Sequence, residues 1–107
     1  VAPLIFDEYA DEQGFIDGVV KASMYHSGQV CVSVQRVYVP DSRAQELAQK
    51  IADVASQQVV GDAINEDSDL GPLISPEETD RIEAWINEAV TEGAQLITGG
   101  QRINKVS

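Results

Sequence analysis

The chain contains a single cysteine, Cys31, at the end of Ser27-Gly28-Gln29-Val30-Cys31, where a helical pattern gives way to a strand pattern. A thiolate is a strong nucleophile, and a helix end, a cation or a neighbouring base makes it available at neutral pH. The break between helix and strand is a place where a side chain and its own backbone N–H can both face a crevice. That N–H is placed to hold an oxyanion formed when sulfur attacks a carbonyl. The competing reading is structural, since a free cysteine is among the most buried residue types.

Other residues offer weaker chemistry. His26, five positions before Cys31, permits a Cys–His dyad, but an imidazole near a helix C-terminus also simply suits the helix dipole. The acidic stretch Asn65, Asp67, Asp69 lacks the glycine at the sixth position and the glutamate at the twelfth that a calcium loop needs. No metal site is expected. Trp85 falls on an apolar helical stripe and reads as a core anchor, while Gly99-Gly100 is too short to cradle phosphate. Neither GxGxxG nor GxxxxGK[ST] occurs.

The elements that must position Cys31 follow from periodicity. Ala2 to Phe6 is an apolar run, expected to be a strand buried on both faces. Asp11 is expected to cap a helix from about Glu12 to His26, with Phe15, Ile16, Val19 and Val20 inward. Gly14, Gly18 and Ala22 make one face smooth, expected to lie close to a sheet or another helix. Gly28 ends that helix, and Val32 to Val39 is rich in β-branched residues up to Pro40, which predicts a second strand.

Ser42 with Gln45 fits a capping box ahead of a helix to Gln57 or Gln58. Residues 61–73 show neither period and read as a polar loop, longer than the usual span of about 2 to 6 residues. Ser75-Pro76-Glu77-Glu78 starts a third helix, with Ile82, Trp85, Ile86, Ala89 and Val90 as its buried stripe and Gly93 as its stop. Ala94 to Thr98 reads as a third strand. The order implies an α/β fold with a mainly parallel sheet and right-handed crossover helices.

At 107 residues one domain with one core is expected. Eighteen acidic against seven basic residues give a formal charge of -11, which repels phosphate backbones and anionic lipid, so nucleic acid and membrane are not expected partners. One cysteine closes no internal disulfide, and cytoplasmic localisation is the expectation. Val1 opens directly on an apolar run, which suggests a piece of something longer.

Tyr25-His26-Ser27-Gly28-Gln29-Val30-Cys31 with Gln35-Arg36-Val37-Tyr38-Val39 resembles the active-site cysteine region of the aldehyde dehydrogenase superfamily. Gly61-Asp62, Gly71-Pro72-Leu73-Ile74, Glu92-Gly93-Ala94 and Gly99-Gly100 follow in the order that family shows, and Ala2 to Asp7 resembles its strand after a Glu-Leu-Gly-Gly segment.

The resemblance implies that residues 1–107 are a partial, cysteine-bearing catalytic domain without the cofactor-binding domain. It implies Cys31 as nucleophile toward a small aldehyde, with Val30 and Val32 lining an apolar substrate pocket. It further implies a thiohemiacetal that passes hydride to NAD or NADP, a thioester released by water, and a homo-oligomeric parent enzyme. Many members carry Asn where this chain has His26. The acidic base and the asparagine completing the oxyanion hole belong to segments not in this sequence, so the chain alone is expected to be inactive. Two other readings remain open: a non-catalytic binding or assembly domain that retains the fold, and a small thiol hydrolase using Cys31 and His26.

Overall fold

The computed structural model describes residues 1–8 and 11–103, which contain β1 (Ala2–Ile5), α1 (Glu12–Met24), β2 (Val34–Tyr38), α2 (Ala44–Ser56) and α3 (Pro76–Thr91). Short 3₁₀ turns at Tyr25–Gly28 and Asp41–Arg43 follow α1 and precede α2. Where one core was expected, the chain divides into two compact units, Val1–Gln57 and Gln58–Ser107. No helix among the described residues is long and apolar enough to cross a membrane.

The first unit is a β-α-β crossover closed by a helix. β1 and β2 pair in parallel, Leu4 opposite Val37 and Ile5 opposite Tyr38, as the crossover through α1 requires. The register shifts between Ala2 and Pro3, which seats the proline, lacking an N–H, at an irregularity in the ladder. α1 packs on β2 and α2. The core is Phe6, Ile16, Val19, Val20, Leu47 and Ala52, so the helical spacing read in α1 does mark its inward stripe.

Four expectations fail here. β1 is not buried on both faces: its burial alternates along the strand and Ile5 is 76% exposed, because among the described residues nothing covers its second face. The smooth face of α1 does not lie against another element. Gly14, Gly18 and Ala22 are exposed, and a Cβ built on Gly18 would meet no heavy atom within 4 Å. Gly14 instead leaves room for Asp11, whose Oδ2 would stand 2.7 Å from a Cβ there. Asp11 takes the extended N-cap conformation but makes no side-chain cap bond, and Ser42 lies within the 3₁₀ turn before α2 rather than capping that helix.

The second unit is a tied loop, a helix and a returning tail. Residues 61–73 owe their order to short polar side chains. Asp69 Oδ2 accepts the Val59 N–H at 2.8 Å, Asp62 Oδ1 accepts that of Ile64 at 3.0 Å, and Asn65 Oδ1 accepts that of Asp67 at 3.0 Å. Val60 and Leu70 form an isolated parallel bridge. α3 starts as expected: Ser75 Oγ accepts the Glu78 N–H at 3.3 Å, and Pro76 opens the helix.

Its apolar stripe, however, is not buried. No residue of α3 is buried, and Trp85 is 59% exposed with the Arg81 guanidinium over its ring at 4.5 Å. Ala94 to Thr98 is not a strand. The tail turns at Gly93, φ 109°, and comes back along α3, where Arg102 forks onto Asp80 and Glu83 at 2.6 Å each. With no described strand beside it to accept a ladder, an apolar stretch of this length has nothing to pair with.

Candidate active site

The approach to Cys31 is a run of left-handed backbone. His26 (φ 50°, ψ 36°), Ser27 (φ 58°, ψ 34°) and Gly28 (φ 78°) follow one another directly after α1. Left-handed conformation costs a residue with a Cβ about 1 to 2 kcal/mol, and two such residues in series are held only by surrounding bonds. The His26 carbonyl supplies them, accepting the Gln29 backbone N–H at 3.1 Å and the Gln29 Nε2 at 3.0 Å. This also explains the residue type at position 26. Asn and His are among the few non-glycine residues enriched at positive φ, so either serves where the backbone must turn this way.

Past Gly28 the chain makes a turn across Val30 to Ser33, closed by the Ser33 N–H donating to the Val30 carbonyl at 3.0 Å. Cys31 is a central residue of that turn and is exposed. Its sulfur is therefore not a core filler. Three bonds fasten the turn: the Val1 nitrogen donates to the Cys31 carbonyl, the Ala2 N–H to the Ser33 carbonyl at 3.0 Å, and Ser33 Oγ weakly to the Gly28 carbonyl at 3.5 Å. Ser33, 3% exposed, is the buried peg. Among the described residues the Cys31 N–H donates to nothing, which leaves it available to an oxyanion.

His26 is not brought to the thiol. Its ring lies edge-on to Tyr25, centroids 4.3 Å apart, and no hydrogen bond joins it to Cys31. The acidic loop residues are used as turn acceptors, and no group of three His, Cys, Asp or Glu among the described residues is arranged to hold a metal.

Val30 and Val32 do come together, on one cavity of about 330 Å³. Gly18, Lys21 and Ala22 from the end of α1 and Tyr25 from the turn after it form its other side, with Ser33 beside the two valines. Sequence reasoning missed Lys21, Tyr25 and Ser33. The signal was the small-residue face of Gly18 and Ala22, which makes the hollow rather than a contact.

Electrostatics hold the scaffold rather than the thiol. Glu12 on α1, Arg43 before α2, and Glu46 and Lys50 on α2 form one network. Lys50 Nζ donates to Glu12 at 2.7 Å and Glu46 at 2.9 Å, while Arg43 donates to both carboxylates and sits over Phe6 at 5.3 Å. The Lys50 ammonium, then the Arg43 guanidinium, hold the Glu46 carboxyl down to about 2, and the same two partners in the same order lower Glu12. These cations are raised in turn, each chiefly by its bond to Glu12.

A profile of the aldehyde dehydrogenase family matches residues 1–107, and the chain is 36% identical over 104 residues to a lactaldehyde dehydrogenase of Methanococcus vannielii. The chain belongs to the aldehyde dehydrogenase family. It spans 97% of its own length in that match but 22% of the relative's. Among solved structures, a mutant aldehyde dehydrogenase of Pseudomonas syringae complexed with NAD+ and octanal superposes with TM-score 0.89, at 33% identity over 96% of this chain and 21% of that one. A glyceraldehyde-3-phosphate dehydrogenase of Methanocaldococcus jannaschii complexed with NADP superposes with TM-score 0.91, at 33% identity over 99% and 23%. The α/β reading thus holds, with two parallel strands among the described residues in place of a wider sheet.

Relatives in this dehydrogenase family hold NAD or NADP. The residues present here do not fit a dinucleotide. The cavity opens at the C-terminal end of α1, where the helix dipole is negative, and a pyrophosphate needs the opposite pole with its free N–H groups.

Proposed function

We propose that this chain carries the nucleophile of an NAD(P)-dependent aldehyde oxidation and not the rest of its machinery. Cys31 Sγ adds to the aldehyde carbonyl carbon, a C–S bond forms as the C=O π bond opens, and the Cys31 N–H receives the charge on oxygen. Val30 and Val32 bound the apolar side of the substrate site. The hydride acceptor, the base that activates water and the second oxyanion donor lie on parts of a parent protein outside this sequence. The product class is a carboxylic acid, the setting cytoplasmic, and the parent a homo-oligomer. One observation supports this most: in a chain of this family the lone cysteine stands exposed at a fastened turn, with its own N–H uncommitted.

Aldehyde protection tests it. Propanal should slow alkylation of Cys31 by iodoacetamide in a concentration-dependent way, and purified chain with propanal and NAD+ should give no steady NADH absorbance. Alkylation indifferent to propanal contradicts addition at Cys31. Sustained NADH production, with contaminating full-length enzyme excluded, contradicts the division of labour.

A further inference from the structure

We propose that Gln29 and Ser33, two positions before and two after Cys31, are positioning residues that fix the direction of the Cys31 backbone N–H, so that the oxyanion donor is aimed before an aldehyde arrives. This rests on Cys31 being the nucleophile. The peptide between Val30 and Cys31 is trans, so its C=O and N–H point to opposite sides. The Val30 carbonyl turns inward onto the Ser33 N–H at 3.0 Å, which directs the Cys31 N–H out of the turn. The peptide after Cys31 is held separately, by the Val1 nitrogen donating to the Cys31 carbonyl. The aim of the N–H therefore depends on where Val30 and Ser33 are held.

Two side-chain donors hold them. Downstream, Ser33 is the one buried polar residue among the described residues; its hydroxyl reaches the Gly28 carbonyl at 3.5 Å, and its carbonyl accepts the Ala2 N–H at 3.0 Å. Upstream, Gln29 Nε2 joins the Gln29 backbone N–H on the His26 carbonyl, at 3.0 and 3.1 Å. The donors thus grip the first and last residues of the left-handed run 26–28 from either side of the cysteine. Each has a plainer use to weigh, since short polar side chains commonly bond to nearby backbone. Yet Gln29 is exposed, and an amide that water already serves gains little by turning back unless the carbonyl it reaches is held under strain. A buried hydroxyl costs more than the alanine methyl that would fill nearly the same space. The Gly28 bond is the longer of the two, so Ser33 is the weaker grip.

Addition of propanal develops charge on oxygen and uses the N–H, whereas alkylation by iodoacetamide displaces iodide at sulfur and does not. In the 107-residue chain, the propanal concentration that halves the alkylation rate reads the first, and the rate without propanal reads the second. Gln29→Met, similar in length and without a donor, should raise that concentration about fivefold and Ser33→Ala about threefold, the worth of one net hydrogen bond or less. Both should keep the rate without propanal. Ser33→Thr retains the hydroxyl and should match the parent chain, as should Ser23→Ala, which removes the Ser23 bond to the Val19 carbonyl within α1. Amide spectra confirm that each variant folds, and Gln29→Asn, too short to reach His26, replaces Gln29→Met if the latter unfolds. A concentration unmoved in either Gln29→Met or Ser33→Ala, or moved equally by Ser23→Ala, overturns the positioning while leaving Cys31 as nucleophile. So does a parallel loss of both readings. A parent chain that propanal does not protect overturns the nucleophile and the positioning together.

Discussion

The two units differ in what they bury. All residues that the described structure buries belong to Val1–Gln57, and in Gln58–Ser107 even the best helix leaves its tryptophan more than half exposed. The first unit has a two-sided arrangement, strands and helices closing on Ile16 and Leu47, so burial stabilises it. The second is held by local polar devices: Asx turns, a capped helix start and the Arg102 fork. Cys31 sits on the unit with the core. A side chain presented after a strained, left-handed approach needs a rigid support to hold that strain.

The contrast is broken most directly by truncation. Leu47→Ala should destabilise the first unit by about 2 to 5 kcal/mol, as cavity formation at a sealed site does. Trp85→Ala should cost at most about 1 kcal/mol, the worth of an exposed cation–π contact. Hydrogen exchange read separately on β1–β2 and on α3 would show this, and equal costs would erase the distinction.

The second unit does have tight spots, the closest at Gly61. A Cβ on Gly61 would stand 2.4 Å from Ser68 Oγ, a buried hydroxyl without a partner among the described residues. Gly61→Ala should cost about 1 to 3 kcal/mol by overpacking. Ser68→Ala should cost little alone and should rescue Gly61→Ala, because the Ser68 Cβ lies at an ordinary 3.5 Å. Thermal melts of the four chains of this cycle would measure the coupling, and additive costs would contradict it.

The strained approach to Cys31 gives a smaller effect. His26→Asn should be neutral and His26→Val should lose about 1 kcal/mol, because a β-branched residue tolerates φ 50° poorly. Denaturant titration would decide, and equal behaviour of the two variants would mean that the backbone relaxes at no cost.

The smallest effect concerns acid. Glu46 is depressed from 4.5 to about 2 and Glu12, the member of the network on α1, is lowered too, so the stability their ion pairs contribute is complete above about pH 4.5 and fades as pH falls toward 2. Glu12→Gln should flatten that part of the pH–stability curve, and added salt should weaken it.

Much of this was legible in the residues. The inward stripe of α1, the Ser75-Pro76 start of α3 and the position of Cys31 at the break were readable because local pattern fixes them. The burial of α3 was not: periodicity shows which face is apolar, not whether anything covers it. Ala94 to Thr98 misled for the same reason, since a strand needs a partner that composition cannot supply. The left-handed pair His26-Ser27 was hidden because only Gly28 advertises positive φ. Lys21, Tyr25 and Ser33 converge through the crossover, and their separation in sequence gives no hint of it.

The central claim, that a closed unit holds an open thiol, is tested by timing iodoacetamide alkylation of Cys31 by mass spectrometry in native buffer and in denaturing urea at one pH. The account predicts that the folded chain reacts at least as fast as the unfolded one. A folded chain that reacts several-fold more slowly would show a protected, structural cysteine and contradict the account.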